Sequence, residues 1–257
     1  MRFAKSALLG AATLAGVLVL PLTGQAQPAF SAQQRQAIEQ IVKDYLVKNP
    51  EVLQEAMTEL ERRQQEEQKT AQATALTQER EKLLNSPRNN VVGNPSGDVT
   101  LVEFFDYNCG YCKRALGDLK TLMKADPKLR VVLRDLPVLG PESVEASRVA
   151  LAVRQQIQGE RLFEYHTKLL ETRGQVNGAR ALAVAREMGL DVDRIKKDME
   201  SPEVRAALQE NVGLGDKLGV SGTPAFVVGD TVISGAVGAD PLRQAIAGVR
   251  QCGKAVC

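Results

Sequence analysis

The chain has 257 residues, of which 44% are apolar, 25% charged and 4% aromatic, and its 33 basic and 31 acidic residues give a formal charge of +2. That length supports a full hydrophobic core, so a mini-protein held together by disulfides is excluded, and four cysteines are too few for such a framework. One histidine argues against a His-rich metal site, and no Lys/Arg stripe interleaved with aromatic residues marks a nucleic-acid track.

Arg2 and Lys5 precede an apolar run from Ala7 to Leu20, followed by Pro21 and the small-residue pattern Gly24, Gln25, Ala26. This is the pattern of a secretory leader, residues 1–26, and the run is shorter than the roughly 20 residues a membrane-spanning helix needs. Cleavage after Ala26 removes both early basic residues and brings the charge to +2 − 2 = 0, so the basic balance belongs to the leader. The expectation is an exported, periplasmic protein with no membrane span in its mature form, in a compartment where disulfides form.

No glycine occurs between Gly24 and Gly93, while Ala, Gln, Glu, Leu and Arg dominate, which is a helical composition. Ile38, Ile41, Val42, Tyr45 and Leu46 share one helical stripe. Asn49 and Pro50 then suit the N-cap and first turn of a second helix, whose apolar face is Val52, Leu53, Ala56, Met57 and Leu60. Two such helices cannot bury their stripes alone, so they need the main domain or another copy of the chain. The segment ERRQQEEQKT from Glu61 to Thr70 carries no apolar residue, so no coiled-coil seam continues through it. We read residues 27–86 as a helical oligomerisation arm, with association confined to residues 27–60, and a polar spacer that ends in the turn residues Asn85 to Asn90.

Past the turn Gly93–Gly97, the apolar run VTLVEFF from Val99 to Phe105 has the length of a strand covered on both faces. Asp106, Tyr107 and Asn108 lead into Cys109, Gly110, Tyr111 and Cys112, followed by Ala115, Leu116, Leu119, Leu122 and Met123 on one helical face. A cysteine at a helix start meets unpaired N–H groups and the positive end of the dipole, which favours thiolate, the attacking species. Cys112, about one turn along the same face, is placed to close a disulfide or resolve a mixed one. Zinc ligation by these two with Cys252 and Cys257 is the weaker reading of the four cysteines. Glu103, inside the apolar strand, is costly to bury without a task and is a candidate proton acceptor for Cys112. LRVVLRDLP from Leu129 supplies another strand. The run AFVV, the turn Gly229-Asp230 and TVIS read as a hairpin, and Asp240 as the cap of a last helix through about Arg250. His166, beside Phe163 and Tyr165, reads as a packing residue.

The motifs EFFDYNCGYCKR (Glu103–Arg114) and VSGTPAFVVGD (Val220–Asp230) resemble the thioredoxin superfamily, specifically exported DsbA-like proteins, over roughly residues 91–251. The resemblance implies an α/β thioredoxin-like domain at 87–257 with a helical insertion at about 139–219. It also implies a cis-proline loop in which Thr223 and Pro224 line the substrate groove, the backbone of Thr223 pairing with a bound peptide. Gly110 and Tyr111, with threonine before the proline, are similar to DsbC-like isomerases, whereas DsbA-type oxidases usually carry Pro-His and valine there. With NPEVLQEAM from Asn49, the mature chain resembles the suppressor-of-copper-sensitivity protein C group, whose members use such an arm to oligomerise, in some cases as trimers.

The resulting expectation is a thiol-disulfide isomerase or reductase of exported cysteine-containing proteins. It needs no cofactor beyond a redox-active Cys109–Cys112 disulfide, and a membrane redox partner resets that pair. A dithiol oxidase and a copper-binding or chaperone-like protein using the reduced cysteine pair are the alternatives. Cys252 and Cys257, outside the family's minimal pattern, are expected to pair as a local tail disulfide.

Overall fold

A computed structural model describes residues 30–257 of the chain; the expected leader lies outside the described residues. The described residues divide into two compact units, one ending at Glu61 and the other running from Arg62 to Cys257.

In the first unit, helix α1 (Ala32–Lys48) starts at a capping box in which Ser31 and Gln34 each bond the other's backbone N–H. Asn49 does not cap the following helix as expected. It closes α1 instead, its backbone N–H and carboxamide both donating to the Tyr45 carbonyl at 2.9 and 2.8 Å. Helix α2 then runs from Glu51 to Gln78. No residue of α1 is buried, and Ile41, Tyr45 and Met57 are more than half exposed, so most of the stripe read from the sequence is exposed among the described residues.

The second unit is built on a five-stranded sheet. Helix α3 (Arg80–Asn85) leads into β1 (Asn90–Gly93), β2 (Val99–Phe105), helix α4 (Gly110–Ala125) and β3 (Leu129–Asp135). Five helices follow: α5 (Pro141–Val153), α6 (Gly159–Glu171), α7 (Gly178–Glu187), α8 (Val192–Asp198) and α9 (Pro202–Lys217). The chain returns through β4 (Ala225–Val228) and β5 (Thr231–Ser234) and ends in α10 (Ala239–Cys252). The strand order is β1-β3-β2-β4-β5, with β2 and β3 parallel and the other pairs antiparallel. Parallel β2 and β3 require a crossover, which α4 supplies.

Both faces of the central strands are buried. Leu101, Phe105, Val131 and Leu133 pack with α4, α10 and the inserted helices, while Val102, Phe104 and Val132 pack with Leu76, Leu83, Leu214 and Leu218. That second cluster moves a boundary. Leu76 of α2 and Leu83 of α3 were expected in the solvated spacer ending at residue 86, yet both are core residues of this unit. They read as spacer because they follow a decapeptide without apolar side chains, and only the sheet face they cover reveals their use.

The segment around α3 is tied down by polar contacts as well. Arg134, fully buried, donates to Glu210 and Asn211, both at 2.9 Å, and to the carbonyls of Lys82 and Leu83 at 2.6 and 3.0 Å. The hairpin turn is Gly229-Asp230, where Gly229 takes φ +59°. Helix α10 begins two residues earlier than expected. Gly238, at φ +90°, occupies the N-cap position, and Asp240 lies in the first turn, paired with Arg243.

Candidate active site

Strand β2 ends at Phe105, and four residues later Cys109 stands at the N-cap of α4 with extended backbone. The turn is held by Asp106, whose carbonyl accepts from the Cys109 N–H at 3.0 Å. Cys109 and Cys112 are both free thiols; Cys109 is 7% exposed and Cys112 fully buried. The Cys109 side chain does not take a hydrogen bond from the helix start, as the sequence led one to expect. Its Sγ lies 3.0 Å from the carbonyl oxygen of Thr223, to which the thiol donates. The Thr223–Pro224 peptide is cis, and the Pro224 carbonyl accepts from Gly235 at 2.8 Å, which fastens the loop to the chain beyond β5. Thr223 and Pro224 therefore stand against the first cysteine although 114 residues separate them.

Gly110 has open space where a Cβ would lie, so packing does not demand glycine there. Tyr111 is 58% exposed, with the Arg114 guanidinium 4.3 Å from its ring centroid. Burial pushes the Cys112 thiol well above its ordinary value, assisted by the nearby Glu103 carboxyl. Glu103 is buried, and neither of its carboxylate oxygens has a hydrogen-bond partner. Desolvation raises it from 4.5 to about 8. In strand alternation it shares a face with Leu101 and Phe105, the face that α4 covers.

Beside the cysteines lie further buried groups, of which only His166, read as a packing residue, was singled out from the sequence. Asp135, at the end of β3, is buried and raised by desolvation to about 7, with the Asn90 carboxamide 3.4 Å away. His166 is buried among Phe105, Tyr107 and Phe163, its ring centroid 4.6 Å from that of Phe105, and desolvation lowers it to about 3, so it is neutral. Asp106 and Asn108 read as turn residues in the sequence, but their side chains reach Leu139, Ser143 and Val176. Outside the site, Cys252 and Cys257 are joined as a disulfide with a Cα separation of 6.2 Å. Among the described residues no group of three or more His, Cys, Asp or Glu side chains is placed to hold a metal ion.

A CxxC pair at the start of the helix after a central strand, facing a cis-proline loop, defines a thiol-disulfide oxidoreductase on a thioredoxin-like fold. The model of the DSBA-like thioredoxin domain matches residues 100–247, and that of the copper resistance protein ScsC N-terminal domain matches residues 34–67. The chain belongs to the DSBA-like thioredoxin family and carries an ScsC-type amino-terminal region.

Solved relatives agree with this assignment. A thioredoxin-like oxidoreductase from Silicibacter pomeroyi DSS-3 is 44% identical, with a TM-score of 0.64 over 67% of this chain and 98% of that one. Proteus mirabilis ScsC, solved in a transitional conformation, is 32% identical, with a TM-score of 0.59 over 84% of this chain and 94% of that one. Among curated proteins, a Na(+)/H(+) antiporter NhaA 1 from Salinispora arenicola is 32% identical over 143 residues, 55% of this chain. The match spans only 22% of that antiporter's length. The transport in its name belongs to that protein, and no helix among the described residues here is long and apolar enough to cross a membrane.

Proposed function

We propose that the protein is a periplasmic disulfide isomerase and reductase of exported proteins, acting through a mixed disulfide at Cys109. The observation that carries this reading is the placement of the Cys109 sulfur at the helix start, 3.0 Å from the Thr223 carbonyl. A client disulfide seated on the Thr223 backbone as an added strand would present its sulfur to that thiol. Cys109 attacks as thiolate, one client sulfur leaves as thiolate, and a Cys109–client disulfide forms. A second client thiolate attacking the client sulfur of that bond releases Cys109 unchanged, which is isomerisation with no net electron transfer. Attack by Cys112 on the Cys109 sulfur instead leaves the client reduced by two electrons and the Cys109–Cys112 pair oxidised, to be reset by a dithiol partner in the membrane. Glu103, raised to about 8 by burial and near enough for its charge to act on Cys112, is the acceptor for the Cys112 proton in its ionised form.

Isomerisation over oxidation is supported by the Gly110-Tyr111 dipeptide and by threonine before the cis proline. The uncovered stripe Ile38, Ile41, Val42, Tyr45, Leu53, Met57 and Leu60 supports a homo-oligomer, because a single chain leaves it in water. An oligomer sets several Cys109 sites around one misfolded client. Secretion rests on the amino-terminal pattern of residues 1–26.

Refolding of a scrambled disulfide protein by the wild type, Cys109→Ala and the double variant Ile41→Glu/Met57→Glu tests this reading. Rescue by the wild type, none by Cys109→Ala, and reduced rescue by the double variant with insulin reduction intact are expected. Rescue by Cys109→Ala at the wild-type rate would remove the reading altogether.

A further inference from the structure

The residues just before the cysteine motif hold a polar hub. Asp106 and Ser143 are buried, and Asn108 lies between them and Val176, which is buried in the loop after α6. The Asn108 carboxamide pairs with Val176 in both directions, accepting from its N–H at 2.7 Å and donating to its carbonyl at 2.9 Å. Its second amide hydrogen goes to the Ser143 hydroxyl at 2.9 Å. Ser143 in turn donates to Asp106 Oδ1 at 2.7 Å, which also accepts from the Asn108 backbone N–H at 2.8 Å. The other oxygen of Asp106 accepts from the Leu139 N–H at 3.0 Å. Donors and acceptors alternate without conflict. A flipped carboxamide would set oxygen against the Val176 carbonyl and nitrogen against its N–H, so the orientation is fixed by its partners.

One turn beyond Cys109, Lys113 Nζ donates to the carbonyls of Thr172 and Gly174 at 2.8 and 3.3 Å. The loop of residues 172–176 is thus gripped from both sides of the cysteine motif, by Asn108 before it and Lys113 after it. A turn of Asp106, Tyr107 and Asn108 has no need of such ties to form locally. They join three separate segments of the inserted helices to the residues that aim Cys109: Leu139 ahead of α5, Ser143 within it, and Val176 beyond α6.

We propose that Asn108 is a positioning residue for thiol exchange, holding the loop 172–176 and the start of α5 rigidly against the cysteine motif so that the Cys109 sulfur stays at the Thr223 carbonyl. It touches neither client nor sulfur and acts through the backbone it fixes. The inference rests on the reading of Cys109 as the attacking thiol. Small displacements of a reacting group cost large factors in rate, so loss of this tie lowers turnover more than it lowers client binding.

Insulin reduction by the full chain, with kcat and KM measured separately, tests this. Asn108→Ala is expected to lower kcat about tenfold with KM within about twofold of wild type. Ser143→Ala, which removes the Ser143 bonds to Asn108 and Asp106 and leaves the Val176 pair, is expected to lower kcat about threefold, and it carries the test if Asn108→Ala does not fold. Asn177→Ala is the control. It removes the side-chain cap of α7, next in sequence to Val176, and costs stability without touching the hub, so its kcat is expected to stay at the wild-type value. Wild-type kcat in both Asn108→Ala and Ser143→Ala, or an equal loss in Asn177→Ala, would overturn the proposal. Cys109→Ala in the same assay separates the two levels: activity there defeats the reading of the nucleophile, whereas wild-type kcat in the hub variants defeats only the positioning role.

Discussion

The thiol of Cys109 donates to the carbonyl of Thr223 across 3.0 Å, joining the start of α4 to the loop before β4. The acceptor is a backbone atom, so no substitution at residue 223 deletes it, but the side chain and the following residue hold the loop's path. Replacing Pro224 by alanine is expected to lower insulin reduction several-fold through loss of the seat for client backbone. The check is kcat/KM for insulin beside the circular dichroism melt of the same variant.

Glu103 and Asp135 make stability depend on pH in a stated direction. Each carboxyl binds its proton more tightly in the folded chain than in the unfolded one, Glu103 at about 8 against 4.5 and Asp135 at about 7 against 3.8. At a pH below the unfolded values both states are protonated and neither group costs anything. As pH rises, the unfolded chain loses these protons first, so stability falls between about 4 and 8. Glu103→Gln is expected to flatten the upper part of that decline and to raise the urea midpoint at pH 8 relative to wild type, while slowing release of trapped mixed disulfide. A decline of unchanged slope in the variant would show that Glu103 is ionised when folded.

His166 acts on the acid side. Burial lowers it to about 3 against an ordinary 6.5, so the unfolded chain takes up a proton that the folded chain refuses, and stability falls as pH drops from 6.5 towards 3. His166→Phe keeps a ring beside Phe105 and Tyr107 and removes the titration, so its midpoint is expected to exceed wild type at pH 5 by more than at pH 7.5.

Arg134 tests the fastening of α3. Its guanidinium is buried with Glu210, Asn211 and two α3 carbonyls as partners. Truncation to alanine strands these acceptors and is expected to cost about 3–5 kcal/mol, read as a lowered urea midpoint. Proteolysis near residues 79–90 is expected to accelerate in the same variant, since Arg134 holds that segment directly.

Much of this molecule was legible before its fold was seen, and the parts that were not share a physical cause. The run Val99–Phe105, the Cys109–Cys112 motif, the Gly229-Asp230 turn and the uncovered α1 stripe depend on local pattern, which a sequence displays. Strand β1, four residues amid turn formers, carries too little pattern to separate from its surroundings. Leu76 and Leu83 look like isolated apolar residues in a polar helix, and only the far face of the sheet gives them neighbours. Arg134 lies in a short strand where nothing local marks a cation as buried, and its partners lie 51 to 77 residues away. Asn108 likewise looks like a turn residue, because its use depends on Val176 and Ser143, which no local window contains.

The most direct test of the central claim is covalent. With Cys112→Ala and a client carrying a non-native disulfide, intact-mass measurement under non-reducing conditions is expected to show a one-to-one mixed disulfide, mapped by digestion to Cys109 and released by dithiothreitol. No adduct with Cys112→Ala, or an equal adduct with Cys109→Ala, would contradict the assignment of Cys109 as the attacking thiol.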